Sequence, residues 1–596
     1  MANSPNKNTD GTLRVTVYSE NEVVKFPFAL ISVYVYKAVN RIGKAILTFE
    51  AGDMPKEKVI ESDNDTFIPG KNIRIEAGYG NEESPIFEGV VNTHSFVVAE
   101  GNESSLQIEC RDFAFPTTFA RKNKIFEKKT DDKAIKEIMG KYPGLSVSAD
   151  VSSTQYNELV QYYCTDWDFI LSRADANGWV IITEGKSVKI KKPDTSASPK
   201  LKVTYGTDII EFKGELSAAE QQATTEAVAW DTKNQQLLKV QGKKPALNSQ
   251  GTDKSEDLAE SLGDGKYTLQ TELCAEESAL QSWADGQRLK ASLARIQGYC
   301  KFLGNAKTFP GDTIELNGLG KRFNGNAYIG YVEHEIGKGE WITTAGLGLP
   351  LENITEEPDV TAPAASGFLP GIQGLHIGKV TKLNDDPTGQ NKIQVEIPVL
   401  NSSNNKVWAR LGNFWGSNAY GAFFIPDVGD EVILGFFNND PCHAVILGSL
   451  YSSKQPPPYS LDAKNETRAI VTKSKMEIAF DEKDKVITLR TPGKNIIQIS
   501  DKDKGIQLID QNKNKIVMDA SGVLLEAAKA LTLKAQTNIT IEAGANFDAK
   551  AKSNVSIQGL NVEAKANASV TVKGNASAEI SATGQTTVKG AMVMIN

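Results

Sequence analysis

Residues 530–590 read ALTLKAQT, NITIEAGA, NFDAKAKS, NVSIQGL, NVEAKANA, SVTVKGNA, SAEISATG and QTTVKG, a repeat of about eight residues. Leu531 and Ile539 stand one period apart, as do Val562 and Val570, and the register steps at Leu560, where one block is a residue short. Within a block apolar and polar residues alternate, with Ile539, Ile541 and Ala543 set against Asn538, Thr540 and Glu542. A period of two predicts short strands with a dry face and a wet face. Ile539, Ile541, Val555, Ile557, Val570, Val572 and Val588 are expected to form the dry interior of a narrow rod. After Tyr459 the only aromatic residues are Phe480 and Phe547, so this part cannot build an ordinary globular core. A strip this thin cannot bury its own dry face, and its strand edges stay open. Several identical chains wound into one prism satisfy both needs; a monomeric β-solenoid is the alternative.

The same pattern extends in both directions. Upstream, MEIAF, VITLR, NIIQI, GIQLI and KIVMD alternate with charged turns such as DEKDK and SDKDK, which read as solvated corners of the rod. Downstream the sequence reads GAMVMIN, and three copies wound together would bring Val593, Met594, Ile595 and Asn596 into a blunt apolar plateau. A flat hydrophobic end on a rod calls for either fraying or a cap.

Residues 375–455 read as a small β-barrel of the OB type, with strands in HIGKVTKL, NKIQVEIPVL, KVWARLG, EVILGFF and HAVILGSL. Three consecutive prolines, Pro456 to Pro458, give a stiff exit. Residues 351–374 are acidic and rich in Pro, Ala and Gly, and read as a linker. Residues 1–115 carry alternating runs such as RVTVYS, SVYVY and KAILTF and are expected to form a first barrel. Residues 116–350 mix strands with three helical patterns and are expected to hold a second barrel. In TDDKAIKEIMG the helical face is Ala134, Ile135, Ile138 and Met139. In CTDWDFILSRADANG, Thr165 is the expected N-cap, Asp168 its capping partner and Gly178 the stop. The third helix is expected to align Ala279, Leu280, Trp283, Leu289, Leu293 and Ile296. The residues thus read as mainly β with an α+β part, an OB-fold and a repeat-built β-structure at residues 460–596.

Composition excludes several function classes. The 596 residues carry a net charge of -8, against the clustered Lys and Arg that nucleic acid or an anionic membrane surface would need. No apolar run is long enough to span a bilayer, and the first residues lack the apolar core of a secretory signal, so the chain is expected in the cytoplasm. Five cysteines and four histidines, widely spaced, form neither a disulfide framework nor a metal site. Cys442 and His443 are adjacent, which in a strand sends their side chains to opposite faces. No P-loop, G-x-S-x-G, H-E-x-x-H or C-x-x-C occurs, so no catalytic, cofactor or metal residue is assigned and no cofactor is expected.

With these residues in place the layout resembles the VgrG family, the spike proteins of type VI secretion systems. It is similar also to the hub and cell-puncturing needle of contractile phage tails. Four stretches carry the likeness. They are QYYCTDWDFILSRADANGWVI, the pair PGDTIELNG and RFNGNAYIGYVEHEIGKGEWITTAGLGL, the barrel from GLHIGKVTKLNDD to PCHAVILGSLY, and the V/I-x-G motifs ending at Gly559, Gly574 and Gly590. The resemblance implies that these parts are an α+β hub with β-barrel hub domains and a needle built as an intertwined triple-stranded β-helix. It implies a homotrimer seated on a hexameric tube protein of the Hcp type and on baseplate proteins. It also implies a PAAR-type cap and effectors at the tip, and transient passage through a target membrane. Such a chain would wait in the cytoplasm and be secreted or injected when the sheath contracts. No lysozyme-like domain lies between barrel and needle and no effector domain follows Asn596, so a mechanical role without enzymatic activity is expected. A prophage tail hub and needle is the alternative within this class. A trimeric β-helical polysaccharide depolymerase and a glycan-binding adhesin are the alternatives outside it.

Overall fold

The computed structural model describes residues 3–8, 11–101, 103–272 and 276–595, which divide into two units, Met1–Leu450 and Tyr451–Asn596. In the first unit the strand Ala29–Ala38 pairs with Lys44–Glu50 on one side and Gly325–Gly337 on the other, so that Val35 stands opposite both Ala45 and His334. This junction joins the strands of the first hundred residues and those near residue 330 in one 13-stranded sheet. The shared core shows why: Phe49, Phe67, Leu106 and Ile108 pack in one cluster with Trp341, which arrives from the late strand Glu340–Leu347. Gly304 lies against the indole, where a Cβ would stand 1.9 Å from the ring.

The helical insertion follows its side-chain spacing. Helix α1, Asp131–Met139, buries Ala134, Ile135, Ile138 and Met139. Helix α2, Asp166–Ala176, starts at Thr165, whose hydroxyl oxygen accepts the Asp168 amide at 3.0 Å and donates to the Asp168 carboxylate at 2.6 Å. The chain leaves α2 through Gly178 at φ +65°, a left-handed conformation that glycine adopts without strain. Two findings differ from the sequence reading. A short helix α3, Ser255–Leu262, lies just beyond a polar loop. Helix α4, Glu277–Leu293, ends before Ile296, which instead opens the strand Ile296–Leu303 and pairs with Leu216. Backbone pairing to an existing strand overrides the helical spacing there.

The start of the expected linker, residues 352–354, is strapped to the helices. Lys290 Nζ donates to the Glu352 carbonyl and Asn353 Oδ1, both at 3.0 Å, and the Asp175 carboxylate accepts the Ile354 amide at 2.8 Å. The strands His376–Lys382, Ile393–Glu396, Lys406–Leu411, Glu431–Phe436 and Ala444–Ser449 close into a five-stranded barrel around Val380, Val395, Ala409, Leu434 and Ile446.

In the second unit seven strands from Thr467–Val471 to Gly522–Glu526 form an antiparallel meander, each paired only with its neighbours in sequence. Five of its turns carry a lysine in left-handed conformation: Lys475, Lys485, Lys494, Lys504 and Lys513. Lys485 and Lys504 are the last residues of the charged corners DEKDK and SDKDK read from the sequence. A left-handed residue ending a short hairpin loop lets the two strands re-enter register.

Candidate functional site: an apolar face without a covering layer

Pairing in the meander sorts side chains onto two faces, since directly opposed residues point the same way. One row runs Ile470, Ile478, Leu489, Ile497, Leu508, Ile516, Leu525. A second row on the same face runs Arg468, Phe480, Ile487, Ile499, Ile506, Met518, Val523. The opposite face carries Thr488, Gln498 and Gln507 at its centre. Ile497 and Ile499 remain 44% and 46% exposed, and Val523 72%. A sheet of this kind normally buries its apolar face against a second layer. Covering one such half-exposed Ile or Leu contributes roughly 1 kcal/mol, so the two rows together represent on the order of 10 kcal/mol per chain.

Beyond Glu526 the chain continues without a helix or an intrachain strand pairing through Ile595, and every residue from 528 to 595 is exposed. Ile539, Ile541, Val555, Ile557, Val570, Val572 and Val588 all lie here, with exposed side chains and backbones that pair with nothing in their own chain. Val593, Met594 and Ile595 follow, Ile595 being 91% exposed; Asn596 lies outside the described residues. Backbone polar groups left unpaired along so long a segment demand water or another chain.

The barrel of the first unit presents a further surface that sequence reasoning missed. Its loop FWGSNAYGAFF exposes Phe414, Trp415, Tyr420, Phe423 and Phe424. The signal was the density of aromatics among glycines, with no strand period to attract attention. Elsewhere in this barrel Cys442 and His443 sit in the turn before Ala444–Ser449. Asp440 accepts the Cys442 amide at 2.8 Å and lies 2.9 Å from His443 Nδ1. These bonds hold the Asp440 carboxyl below its ordinary range and lock a turn.

Residues 376–451 match the family described as type VI secretion system/phage-baseplate injector OB domain. Residues 9–338, more than half the chain, match the Alg8 N-terminal domain. This chain belongs to the Alg8 N-terminal domain family. The Alg8-type chain is also VgrG-like, as the sequence resemblance indicated. It is 33% identical over 108 residues to the type VI secretion system spike protein VgrG5 of Pseudomonas aeruginosa, which covers 17% of this chain and 14% of that protein. It is 30% identical over 95 residues to the actin cross-linking toxin VgrG1 of Vibrio cholerae, covering 15% of this chain and 9% of the toxin. The Alg8-type chain thus spans about a seventh or less of the length of these relatives. Among solved structures, a Francisella PdpA-VgrG complex aligns at TM-score 0.38 and 10% identity, over 87% of this chain and 80% of that one.

Proposed function

We propose that this chain is one subunit of a homotrimeric spike at the tip of a contractile type VI secretion tube. The observation that carries the reading is the apolar face of the meander, together with the fully exposed repeat that follows it. Three copies turning these rows inward bury them, and their open strand edges pair with one another. The needle core residues Ile539, Ile541, Val555, Ile557, Val570, Val572 and Val588 then occupy the axis of an intertwined β-helix. The injector OB match and the VgrG-named relatives support the same class.

In this reading the hub seats on an Hcp-type tube hexamer and baseplate proteins, and Val593, Met594, Ile595 and Asn596 receive a PAAR-type cap with its effectors. The chain waits in the cytoplasm and passes through the target membrane on contraction. Its task is mechanical: the sheath supplies work, and interwound strands supply stiffness without catalysis. A prophage tail hub and needle is the second reading, favoured by the same baseplate-type OB domain.

Native mass by light scattering tests the proposal. Three chains of 64.7 kDa give about 194 kDa, and a chain ending at Pro458 is expected to lose that species. A full-length monomer would overturn it.

A further inference from the structure

A cavity of about 500 Å3 opens beside the strand Glu82–Val98, bounded by Gly185 and by the loop at residues 306–309. Lys37 stands in its wall. The residue belongs to an inward row, Val33, Val35, Lys37, Val39, in which it is the one polar member and is only 7% exposed. Its Nζ lies 3.9 Å above the centroid of the Phe309 ring and makes no hydrogen bond or ion pair among the described residues. The same cavity is lined by Asp112, itself 3% exposed, whose carboxylate accepts the Ala114 amide at 2.9 Å.

The other charged groups set what such a site would take. Glu88, Glu184 and Lys307 line the cavity, and Glu184 is already paired with Lys189 at 2.7 Å. His334 is fully buried on the neighbouring strand, and burial together with the nearby Lys37 keeps its ring well below its usual pKa, hence neutral. Lys37 and Lys307 are therefore offset by Asp112 and Glu88, which leaves little net charge to attract an anion. Ile86, Phe87 and Phe309 supply an apolar wall. Burial pushes the Lys37 amine down to about 8, against the opposing pull of Glu184, Asp112 and Glu88. Burial likewise pushes the Asp112 carboxyl up to about 6. An unprotonated amine and a protonated carboxyl are both accessible near neutral pH.

We propose that Lys37 is an imine-forming site for small uncharged aldehydes, with Asp112 as its proton relay. The Lys37 nitrogen lone pair forms a bond to the carbonyl carbon, and the carbonyl oxygen takes the Asp112 proton to give a carbinolamine. The nitrogen then returns a proton to the Asp112 carboxylate. In the last step the hydroxyl leaves as water, the same carboxyl supplying the proton it needs and recovering the remaining nitrogen proton as C=N forms. Amine and aldehyde thus become imine and water, with no oxidant or reductant. The inference stands apart from the spike reading.

The test treats the full-length protein with limiting pyridoxal, traps imines with borohydride and maps adducts by mass spectrometry. At pH 7 Lys37 is expected to label about 10-fold or more faster than an average exposed lysine, because burial keeps more of its amine unprotonated. Its labelling should level off above about pH 8, while exposed lysines keep gaining. Asp112→Asn should slow Lys37 labelling several-fold in protein with an unchanged circular dichroism spectrum. Adducts confined to exposed lysines, or a Lys37 profile that tracks theirs with pH, would overturn the proposal.

Discussion

Gly178, at the exit of α2, and Gly286, inside α4, meet backbone to backbone: a Cβ on Gly286 would stand 2.6 Å from the Gly178 Cα. Neither backbone has room to retreat, because Leu289 and Leu293 on α4 pack with Val180 and Ile182 in one cluster just beyond the contact. Gly286→Val is therefore expected to cost about 3 kcal/mol or to prevent folding. Gly263→Ala, at a site with no atom within 4 Å, should stay within about 0.5 kcal/mol of the parent. Urea unfolding of both variants decides the matter.

A buried ion pair ties α1 to α2. Arg173 Nε and Nη2 donate to the two carboxylate oxygens of Asp131 at 2.6 and 3.2 Å, Asn177 donates at 2.7 Å, and Asp131 is fully buried. Arg173→Met leaves that carboxylate without its cation and should destabilise by about 3 to 5 kcal/mol. Pairing it with Asp131→Asn should recover part of the loss, as a double-mutant cycle in urea would register.

The apolar rows give a test of assembly with its own control. Ile497→Lys puts a charge on the uncovered face, whereas Gln498→Lys puts the same charge on the polar face one residue away. The first should shift the native mass from about 194 kDa toward the 64.7 kDa chain, and the second should leave the assembly intact.

At the tip, Ile595→Asp is expected to abolish co-purification of a PAAR-type cap while native mass is unchanged. Retained cap binding by the variant would place the contact elsewhere.

Lys37 also makes a prediction about pH. Its amine has a folded pKa near 8, below its unfolded value, so between the two the unfolded chain binds more protons. Stability gains from this group as pH rises from about 8 to 10, and is held down at neutral pH. Lys37→Met should raise stability at pH 7 by about 1 to 2 kcal/mol and flatten the alkaline rise, as read by thermal unfolding across that range.

Much of this arrangement could be read from side-chain spacing alone. The α1 face, the Thr165 cap and the five barrel strands each repeat a local period that their packing then uses. The pattern failed where long-range pairing overrules it. Ile296 continues the α4 stripe in sequence but is claimed by the Leu216 strand, and α3 is only eight residues long, too short to declare a period. Lys37 was visible as a lysine in a valine row, yet its meaning depends on Phe309 and Asp112, which are far from it in sequence. Ile539 and its repeats stay exposed in the single chain, so their spacing marks a dry face without naming what covers it.

The turns of the meander have a consequence for size. Because each strand bonds only to the strands before and after it, and each lysine corner recurs after nine or ten residues, a hairpin can be added or removed without disturbing any distant pairing. Each such change of two strands would alter the reach of the tail by roughly 10 Å, twice the spacing between neighbouring strands. Length in this region is thus a graduated quantity, adjustable in fixed steps by duplication or loss of about twenty codons, as on a ruler whose marks are lysines.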